Sequence, residues 1–405
     1  MENKSLKKVT QHETDIILVG AGLVGLSAAI AFAQQGKRVM LIDANKAPAT
    51  KPNIKKTKAW DTRIYALTPA TVDWLSALGA WQYMNEARVN DINAMQLWGA
   101  DQTPLVLKDT DANVPKLGVI AENNHLIDAL RAKLDALAVP MLVGVTCKKI
   151  EHTPTQIHLT LENNTQIKAK LLVAADGVDS FVRRALNVAT NVKDYAQTAI
   201  VANFLAEKPH QNVARQWFSP HETLALLPLP AQHVSIVWAM STERVLQLLK
   251  LTAEEFAVRV TEKSNSVPNG SIGTLKPVGE VLSFALKQMT AAHLIAERVA
   301  FVGDAAHQIH PMAGQGVNLG FRDVIALQAL LAHAHSLQDI GENTFLRQYE
   351  RARKGDIASM NGLTSGLDYL FAAENSVVKK LSEWGMQQLN NQLFVKKVII
   401  KQAVA

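Results

Sequence analysis

The sequence predicts an α/β protein with a discontinuous nucleotide-binding domain, an inserted β-rich domain and a helical C-terminal tail. Three observations support this fold class. A strand, a glycine-rich turn and a helix open the chain, short β-rich segments fill its middle, and the α/β pattern returns after about residue 290. Strands that alternate with helices indicate a parallel sheet, and consecutive short strands an antiparallel one. We expect four regions, 1–190, 191–290, 291–341 and 342–405, of which the first and third form one domain.

The composition is that of a folded protein large enough for two domains. Of 405 residues, 48% are hydrophobic and 19% are charged, which excludes disorder, collagen and coiled coil. A net charge of +6 is small for this length, so we expect no nucleic-acid partner. The single cysteine, Cys147, excludes an intramolecular disulfide and a Cys-rich metal site, and favours a reducing compartment.

One segment imitates a membrane span. Residues 16–33 are uncharged and about as long as a bilayer is thick, and Lys4, Lys7 and Lys8 precede them. The run nevertheless divides into a β-branched strand, a glycine turn and a helix, and a buried strand followed by a buried helix is apolar throughout. We therefore expect no transmembrane helix and no signal peptide, and a cytoplasmic protein of bacterial type that attaches loosely to the inner membrane.

The N-terminal βαβ unit contains the first candidate binding motif. The strand from Asp15 leads into Gly20-Ala-Gly22-Leu-Val-Gly25, and a second strand ends at Asp43. In a dinucleotide site of Rossmann type, such glycines permit the sharp turn, the approach of a pyrophosphate and close packing of the helix. The helix N-terminus faces the phosphates, and Asp43 would accept hydrogen bonds from the adenosine ribose. Asp43 also argues against a ribose 2′-phosphate at this site.

Two further strands end in polar turns that would meet the first motif. The strand before Asp176 and Gly177 is one, and the strand before Gly303 and Asp304 is the other. Asp304 could accept a hydrogen bond from a polyol chain. A glycine-rich helix start follows, whose free backbone N–H groups suit an electron-rich group. Its candidate ligand-binding residues are Gly314, Gln315, Gly316, Val317 and Asn318. The sequence contains no second G-x-G-x-x-G motif.

Together these segments resemble the flavin-dependent aromatic hydroxylases, the family that contains para-hydroxybenzoate hydroxylase, and within it the hydroxylases of ubiquinone biosynthesis. The branch is suggested by the following stretches: Asp61-Thr-Arg63-Ile-Tyr-Ala-Leu67, Gly118-Val-Ile-Ala-Glu122-Asn123, Tyr195-Ala-Gln197, Pro209-His210, Ala225-Leu-Leu-Pro228-Leu and GDAAHQIHPMAGQGVNLGFRD at 303–323. The match covers nearly the whole chain. It departs from the family at Asp43, where Glu is common, and around Asn203.

The resemblance implies FAD as the cofactor and flavin-borne chemistry, with no catalytic side chain and no metal centre. An FAD-dependent monooxygenase of this kind hydroxylates an aromatic ring through a flavin C4a-hydroperoxide formed from O₂. The protein supplies orientation, helix-end electrostatics and a dry pocket. The resemblance also implies that Pro311 lies over the reactive flavin face and that Arg63 contacts the cofactor. The electron donor stays open among NADPH, NADH and a protein.

The expected substrate is a polyprenylated phenol or quinol intermediate of ubiquinone biosynthesis. Apolar residues of the β-rich domain are candidates for its pocket, namely Trp217, Phe218, Leu226, Pro228 and Trp238. Residues 388–405 could lie on a membrane, pack as a terminal helix or contact another subunit, and a complex of the quinone pathway and an oligomer also stay open. The alternative functions are an FAD-dependent dehydrogenase or reductase and a non-catalytic flavoprotein of the quinone pathway.

Overall fold

The computed structural model describes residues 10–46, 60–99, 103–266, 270–309, 315–372, 388–390 and 392–404. The helices are α1 Leu23–Gln34, α2 Pro69–Ala77, α3 Asp109–Ala112, α4 Asn123–Ala136, α5 Phe181–Ala185, α6 Thr242–Leu248, α7 Ala253–Ser264, α8 Gly316–Ala332, α9 Asn343–Ala372 and α10 Leu393–Val404. Among the helices described, none combines the length and the apolar character that crossing a membrane requires.

The strands are assigned within the same residues and are numbered in chain order. They are β1 Gln11–Glu13, β2 Ile16–Val19, β3 Val39–Asp43, β4 Ile64–Leu67, β5 Asn90–Ile92, β6 Ala94–Trp98, β7 Leu105–Lys108, β8 Gly118–Glu122, β9 Met141–Val143, β10 Cys147–His152, β11 Ile157–Leu161, β12 Gln166–Ala169, β13 Leu171–Ala174, β14 Thr190–Ala206, β15 Val213–Ser219, β16 Glu222–Pro228, β17 His233–Ser241, β18 Leu275–Ala291, β19 Ile295–Ala296, β20 Val299–Phe301 and β21 His307–Gln308.

The N-terminal βαβ unit belongs to a six-stranded sheet in the order β19-β20-β13-β2-β3-β9. The pairs β20–β13, β13–β2, β2–β3 and β3–β9 are all parallel. Strands β2 and β13 are buried along their whole length, as the uninterrupted apolar run in each requires. Because β20 follows β2 by some 280 residues of chain, the domain is discontinuous, in agreement with the predicted fold class.

The β-rich middle of the chain forms most of an eight-stranded sheet in the order β21-β18-β14-β17-β16-β15-β6-β7. Strands β6 and β7 come from residues 94–108, well before the predicted insertion, and β6 joins β15 in parallel. Strand β18 is 17 residues long and continues through Pro277 and Gly279, with a bulge between the residues that pair with Val201 and Asn203. The sheet is thus built from two separate parts of the sequence.

The two faces of this sheet differ in what covers them. One face buries Trp217, Leu224 and Trp238 against Phe256 and Val260 of α7. A capping box begins α7, since Thr252 Oγ1 accepts the Glu255 N–H at 3.2 Å and Glu255 accepts the Thr252 N–H at 2.9 Å. We call this the helix-covered face.

The opposite face of the eight-stranded sheet points toward the nucleotide-binding part of the chain. Asn203 of β14 donates its side-chain N–H to the carbonyl of Asp61 at 2.9 Å. Nearby, the Thr62 hydroxyl donates to the carbonyl of Glu280 at 3.3 Å. We call this side of the sheet the inner face, and its contacts join the two parts of the molecule next to the β4–β8–β5 sheet.

The C-terminal segment closes the far edge of the eight-stranded sheet. The Asn390 side chain accepts the Val106 N–H at 3.0 Å and donates to the Pro104 carbonyl at 2.7 Å. It therefore pairs with backbone groups of β7, which is the last strand on that side in the part of the chain that the structure describes. Helix α10 then packs on the same edge, where Ile400 is buried with Leu105, Leu107 and Ala112.

Candidate functional site

The carboxyl ends of β2, β13 and β20 meet, because these strands are parallel neighbours. Gly20, the residue after β2, has a φ of +106°, and a Cβ on it would lie 2.2 Å from the Ala175 carbonyl oxygen. Its N–H donates to the Ile42 carbonyl at 2.7 Å. Only glycine fits this position, and the turn places the start of α1 directly above the sheet.

The other two glycines of the first motif have opposite surroundings. A Cβ on Gly25 would lie 1.9 Å from the Gly20 carbonyl oxygen, so this glycine lets α1 pack against the turn. A Cβ on Gly22 would meet no atom within 4 Å. Gly22 is the N-cap of α1 and makes no side-chain cap hydrogen bond. The first turn of α1 therefore faces open space, which is what a pyrophosphate at the helix N-terminus requires.

Asp43 lies at the end of β3 and is bound to the glycine turn. Its Oδ2 accepts the Ala21 N–H at 2.5 Å, and its Oδ1 accepts the Asn45 N–H at 2.6 Å. The carboxylate is half-buried, and each oxygen can accept a second hydrogen bond. Asp43 thus both holds the turn and presents acceptors beside it, the arrangement that a ribose diol would use.

The turn after β20 packs against the start of α1. Gly303 has a φ of +60°, and a Cβ on it would lie 3.1 Å from Val24 Cγ2. A Cβ on Gly320 of α8 would lie 2.7 Å from the same Val24 atom. These two glycines allow α1, α8 and the Gly303 turn to meet at one point. The first and second sequence motifs are therefore in contact in the structure.

Asp304 lies in a recess between the two halves of the site. Its side chain reaches solvent, but many protein atoms surround the carboxyl group and displace water from it. This loss of hydration raises the pKa of Asp304, although the positive charges of His307 and Arg63 act in the opposite direction. Tyr65 is nearby, and its pKa is also raised, mainly by burial. Arg63 is exposed and interacts with both groups, so the side chains of Arg63 and Asp304 approach each other.

A buried ionic network behind this recess was not predicted from the sequence. Asp323 Oδ2 accepts the Gly303 N–H at 2.8 Å and lies 2.6 Å from His307 Nε2, and its Oδ1 accepts Arg353 Nε–H at 2.7 Å. Burial alone would raise the pKa of Asp323, but His307 and Arg353 outweigh it and hold that pKa below its usual value. The network fixes the Gly303 turn. Asp323 ends the quoted 303–323 stretch, which was the only signal for it.

The start of α8 is described only from Gln315 onward. Pro311 and Gly314, predicted near the flavin, lie outside the described residues. Gln315 is the N-cap without a side-chain cap hydrogen bond among the described residues, and of these a Cβ on Gly316 would meet no atom closer than 3.9 Å. The backbone N–H groups of Gly316 and Val317 therefore begin a helix that the described residues leave uncovered.

The Asn318 side chain has a different role from the one its position suggests. Its Oδ1 accepts the Thr68 N–H and the Thr71 hydroxyl, each at 3.0 Å. Its Nδ2 donates to the Ala66 carbonyl at 2.8 Å and to Gln315 Oε1 at 3.3 Å. The side chain is fully buried and joins α8 to β4 and α2, so only the Asn318 backbone is left to face a ligand.

The third motif is bound to the second through a buried arginine. Arg183 donates to the Ala305 carbonyl at 2.9 Å and to the Val178 carbonyl at 2.5 Å. Asp176 accepts the Val182 N–H at 3.1 Å through Oδ2, whereas its buried Oδ1 has no hydrogen-bond partner among the described residues. Gly177 has a φ of +81°, and a Cβ on it would meet none of their atoms within 4 Å. An unpaired carboxylate oxygen beside open space fits a polar ligand group.

Burial and the neighbouring Asp176 raise the pKa of Cys147 to about 12. The lone thiol is therefore not a nucleophile at neutral pH.

Four of the five predicted pocket residues lie on the helix-covered face of the sheet. Directly paired residues share a face, and the row Trp98, Trp217, Leu224, Trp238 and Ile200 runs across five strands. This row, with Leu226 and Pro228, belongs to the helix-covered face. Trp217 stacks on Trp98 with ring centroids 5.0 Å apart, and Trp238 packs on Phe256. In the structure these residues pack as sheet core, and their role in a substrate pocket stays a prediction.

Phe218 is the one predicted pocket residue on the inner face. Because side chains alternate along a strand, it must point away from its neighbour Trp217. Its row continues through Thr223, Ala239 and Ala199 to Phe284. Phe284 and the adjacent Leu282 are each 44% exposed, an unusual property for large apolar side chains in the middle of a long strand. Neither Phe284 nor Leu282 is a candidate pocket residue in the sequence. The alternation of side chains along the strands could have shown which residues share the inner face.

Four features bear on whether a dinucleotide fits, namely the open glycines Gly22, Gly177 and Gly316 and the unpaired Asp176 oxygen. They leave free backbone and carboxylate groups at the ends of three adjacent elements, where a Cβ would otherwise occupy the space. The residues present therefore fit FAD.

Comparisons with known proteins agree with this site. The family model described as "FAD binding domain" matches residues 13–360. The chain is 30% identical to the human mitochondrial ubiquinone biosynthesis monooxygenase COQ6, over 93% of this chain and 89% of that protein. It is 32% identical to the 3-demethoxyubiquinol 3-hydroxylase of Escherichia coli, over 90% of each.

Among solved structures, a p-nitrophenol 4-monooxygenase from Pseudomonas putida has a similar fold. The TM-score is 0.77 over 98% of this chain and 99% of that one, at 15% identity. A structure of PqsL from Pseudomonas aeruginosa aligns with a TM-score of 0.73 at 18% identity, covering 94% of this chain and all of the other. Both likenesses concern the fold.

Proposed function

This chain belongs to the FAD-dependent aromatic hydroxylases of ubiquinone biosynthesis, and we propose that its substrate is a polyprenylated phenol or quinol whose ring gains one hydroxyl oxygen. The observation that carries this proposal is the contact between α1, α8 and the Gly303 turn, with open helix starts at Gly22 and Gly316. One long cofactor can reach both helix starts from the same groove.

Residues of the first motif would hold the adenosine diphosphate half of FAD. The N-terminal N–H groups of α1 would face the pyrophosphate, and Asp43 would accept hydrogen bonds from the ribose hydroxyls. Asp304 would accept from the polyol chain, and the positive charge of Arg63 beside it would offset part of the desolvation that raises the pKa of that carboxyl. The Gly316 and Val317 N–H groups would stabilise negative charge on the electron-rich edge of the ring system.

FAD, once reduced by a nicotinamide or a protein donor, supplies the electrophilic oxygen from O₂. The protein's own contribution is orientation and the exclusion of water. We propose that the inner face of the eight-stranded sheet is the substrate wall, with Phe284 and Leu282 against the ring or the first isoprenoid units. Both side chains are apolar and exposed in the absence of ligand, so they can exchange water for substrate.

An ¹⁸O₂ experiment tests the reaction class. Purified protein with bound FAD, a reductant and a prenylated phenol in detergent should yield one added ¹⁸O atom in the product. A product oxidised without label would support the alternative of a dehydrogenase or reductase. Peroxide alone across a panel of prenylated phenols and quinols would contradict the proposal.

Lipid mass spectrometry of a strain that lacks the protein identifies the step. The accumulated intermediate should be a prenylated ring that lacks one hydroxyl group. A Gly22→Trp variant, which cannot bind FAD, should not restore ubiquinone. If it did, a non-catalytic role would be favoured. We further propose that the protein acts in the cytoplasm in contact with the membrane that holds its substrate.

A further inference from the structure

The C-terminal helix α10 has two different sides. Ile400 is 2% exposed and Lys396 8% exposed, and both face the body of the protein. Phe394 and Val398 are 76% and 48% exposed on the other side. Residues four apart lie on one side of a helix, so Phe394 and Val398 form a continuous apolar strip that faces solvent.

Contacts on the buried side fix the position of α10. Ile400 packs with Leu105 and Leu107 of β7, and Lys396 Nζ lies 3.9 Å from Asp111. The hydrogen bonds of Asn390 to β7 hold the chain just before the helix. The exposed strip therefore lies on a helix whose opposite side is already packed against the rest of the protein.

The charge on the exposed side has one sign. Lys397 and Lys401 are exposed. Lys401 lies three residues after Val398 and Lys397 three residues after Phe394, so one lysine flanks each apolar residue. From residue 384 to residue 405 the sequence contains three lysines and neither Asp nor Glu. An apolar strip flanked by lysines is the pattern of a helix that lies in a membrane interface.

We propose that Phe394, Lys397, Val398 and Lys401 form a docking face for the surface of an anionic lipid bilayer. The two apolar side chains would enter the headgroup boundary, and the two lysines would meet lipid phosphates. A second copy of this chain is a poorer occupant, because a two-fold contact through this strip would bring the lysines of both copies together.

The position of α10 relative to the substrate wall gives the docking face a role. Its apolar contacts include Leu97 of β6, which pairs with Gln216 on the inner face of the sheet. The proposed wall lies on that same face at β14 and β18. Resting on the proposed function, this inference means that docking would bring the substrate side of the sheet close to the bilayer that carries a polyprenylated ring.

Vesicle flotation with the full-length, FAD-loaded protein tests the proposal. We expect binding to vesicles of phosphatidylcholine with 30–40% phosphatidylglycerol, roughly the charge of an anionic leaflet, and little binding to phosphatidylcholine alone. The double variant Phe394→Glu/Val398→Glu should lose at least about tenfold in vesicle affinity. The variant Lys397→Gln/Lys401→Gln should lose about fivefold per lysine, and this loss should shrink at high salt.

A matched control uses exposed apolar residues of other helices. Leu246 and Val258 are 57% and 54% exposed on α6 and α7, so Leu246→Glu/Val258→Glu should bind vesicles like the wild type. Thermal unfolding and FAD content, measured for every variant, show that each one is folded. Turnover of a detergent-solubilised phenol should be the same in wild type and α10 variants, which separates docking from the reaction itself.

Three results would overturn the inference. The wild type could fail to float with anionic vesicles, the α10 variants could bind as well as the wild type, or the control variant could lose binding equally. A wild type that is dimeric by light scattering, and becomes monomeric on Phe394→Glu/Val398→Glu, would assign the strip to self-association instead.

Discussion

Gly22 and Gly25 are three residues apart, yet the structure separates what they do. Gly25 packs against the backbone of the turn, because a Cβ there would lie 1.9 Å from the Gly20 carbonyl oxygen. No described atom lies within 4 Å of a Cβ on Gly22. Both functions follow from the spacing of the motif, since a strand, a turn and a helix N-terminus are local features. This part of the site is therefore predictable from sequence.

Alanine at each position should separate folding from cofactor binding. Gly22→Ala should leave the free energy of unfolding of the apoprotein within about 0.5 kcal/mol of wild type. It should raise the FAD dissociation constant about tenfold or more, roughly 1.4 kcal/mol. Gly25→Ala should destabilise the apoprotein by about 1–3 kcal/mol. Urea unfolding and flavin fluorescence titration measure the two quantities, and equal effects of both variants on both would contradict the assignment.

Asp323 illustrates what a sequence does not reveal. It contacts Gly303, His307 and Arg353, and the last of these is 30 residues away on α9. Each of these residue types is common on helix surfaces, and nothing in the local pattern predicts that they are buried together. Only the packing of α9 on α8 and the Gly303 turn brings them into contact.

Asp323→Asn should cost about 3–5 kcal/mol in free energy of unfolding, because it leaves Arg353 buried beside a neutral partner. The exposed pair Arg259–Glu262 provides the control, and Glu262→Gln should cost less than about 1 kcal/mol. Urea unfolding at pH 7 checks both values. A small effect of Asp323→Asn would mean that the network does not hold the turn.

The same carboxylate should make stability depend on pH. The pKa of Asp323 is lowered in the folded protein, so its contribution is fully present above the unfolded pKa of about 3.9 and is lost as pH falls through the lowered folded value. The stability difference between wild type and Asp323→Asn should be constant from pH 7 to 5 and should shrink below about pH 4. A difference that grows on acidification would contradict this sign.

At the scale of elements, the eight-stranded sheet decides which apolar residues can meet a ligand. Strands β14 to β17 lie in the β-rich middle that the sequence predicts, because their apolar runs are short and separated by turn residues. The sequence did not predict β6 as the parallel neighbour of β15, since that pairing joins residues more than 100 apart. Apolar composition alone also could not assign faces, so it could not show that Trp217 and Trp238 pack on the helix-covered face.

Alanine substitutions on the two faces should have opposite consequences. Trp238→Ala, on the helix-covered face, should cost about 3–5 kcal/mol in free energy of unfolding with little effect on the KM of the remaining folded enzyme. Phe284→Ala, on the inner face, should cost less than about 1 kcal/mol, because the side chain is 44% exposed. It should lower kcat/KM about tenfold, roughly 1.4 kcal/mol of lost contact. Unchanged kinetics of Phe284→Ala would place the substrate elsewhere.

At the scale of the whole molecule, the cofactor site depends on segments that the chain brings together from far apart. Arg183 links the turns after β13 and β20, and Gly303 and Gly320 both pack on Val24. Motif spacing identified each segment, and the parallel sheet explains why they converge. The exact boundaries of the four predicted regions stay a prediction, and the strands at 94–108 show that the second sheet draws on more than one of them.

FAD binding should stabilise both halves of the domain at once. At a concentration about 100 times its dissociation constant, FAD should add roughly 2.7 kcal/mol to the free energy of unfolding. Hydrogen exchange should slow in α1 and in α8 together, while α7 serves as an internal control with unchanged exchange. Protection confined to one of the two helices would show that the cofactor does not bridge them.

The side chain of Asn390 has a consequence for how this protein can be shortened. By bonding to Val106 and Pro104 it fills the positions that another extended polypeptide would use to extend the sheet. A version truncated after α9 would present bare β7, flanked by the apolar Leu105 and Leu107, to its own copies. Such a product is expected to polymerise edge to edge and to be recovered as insoluble material, however well its cofactor half has folded.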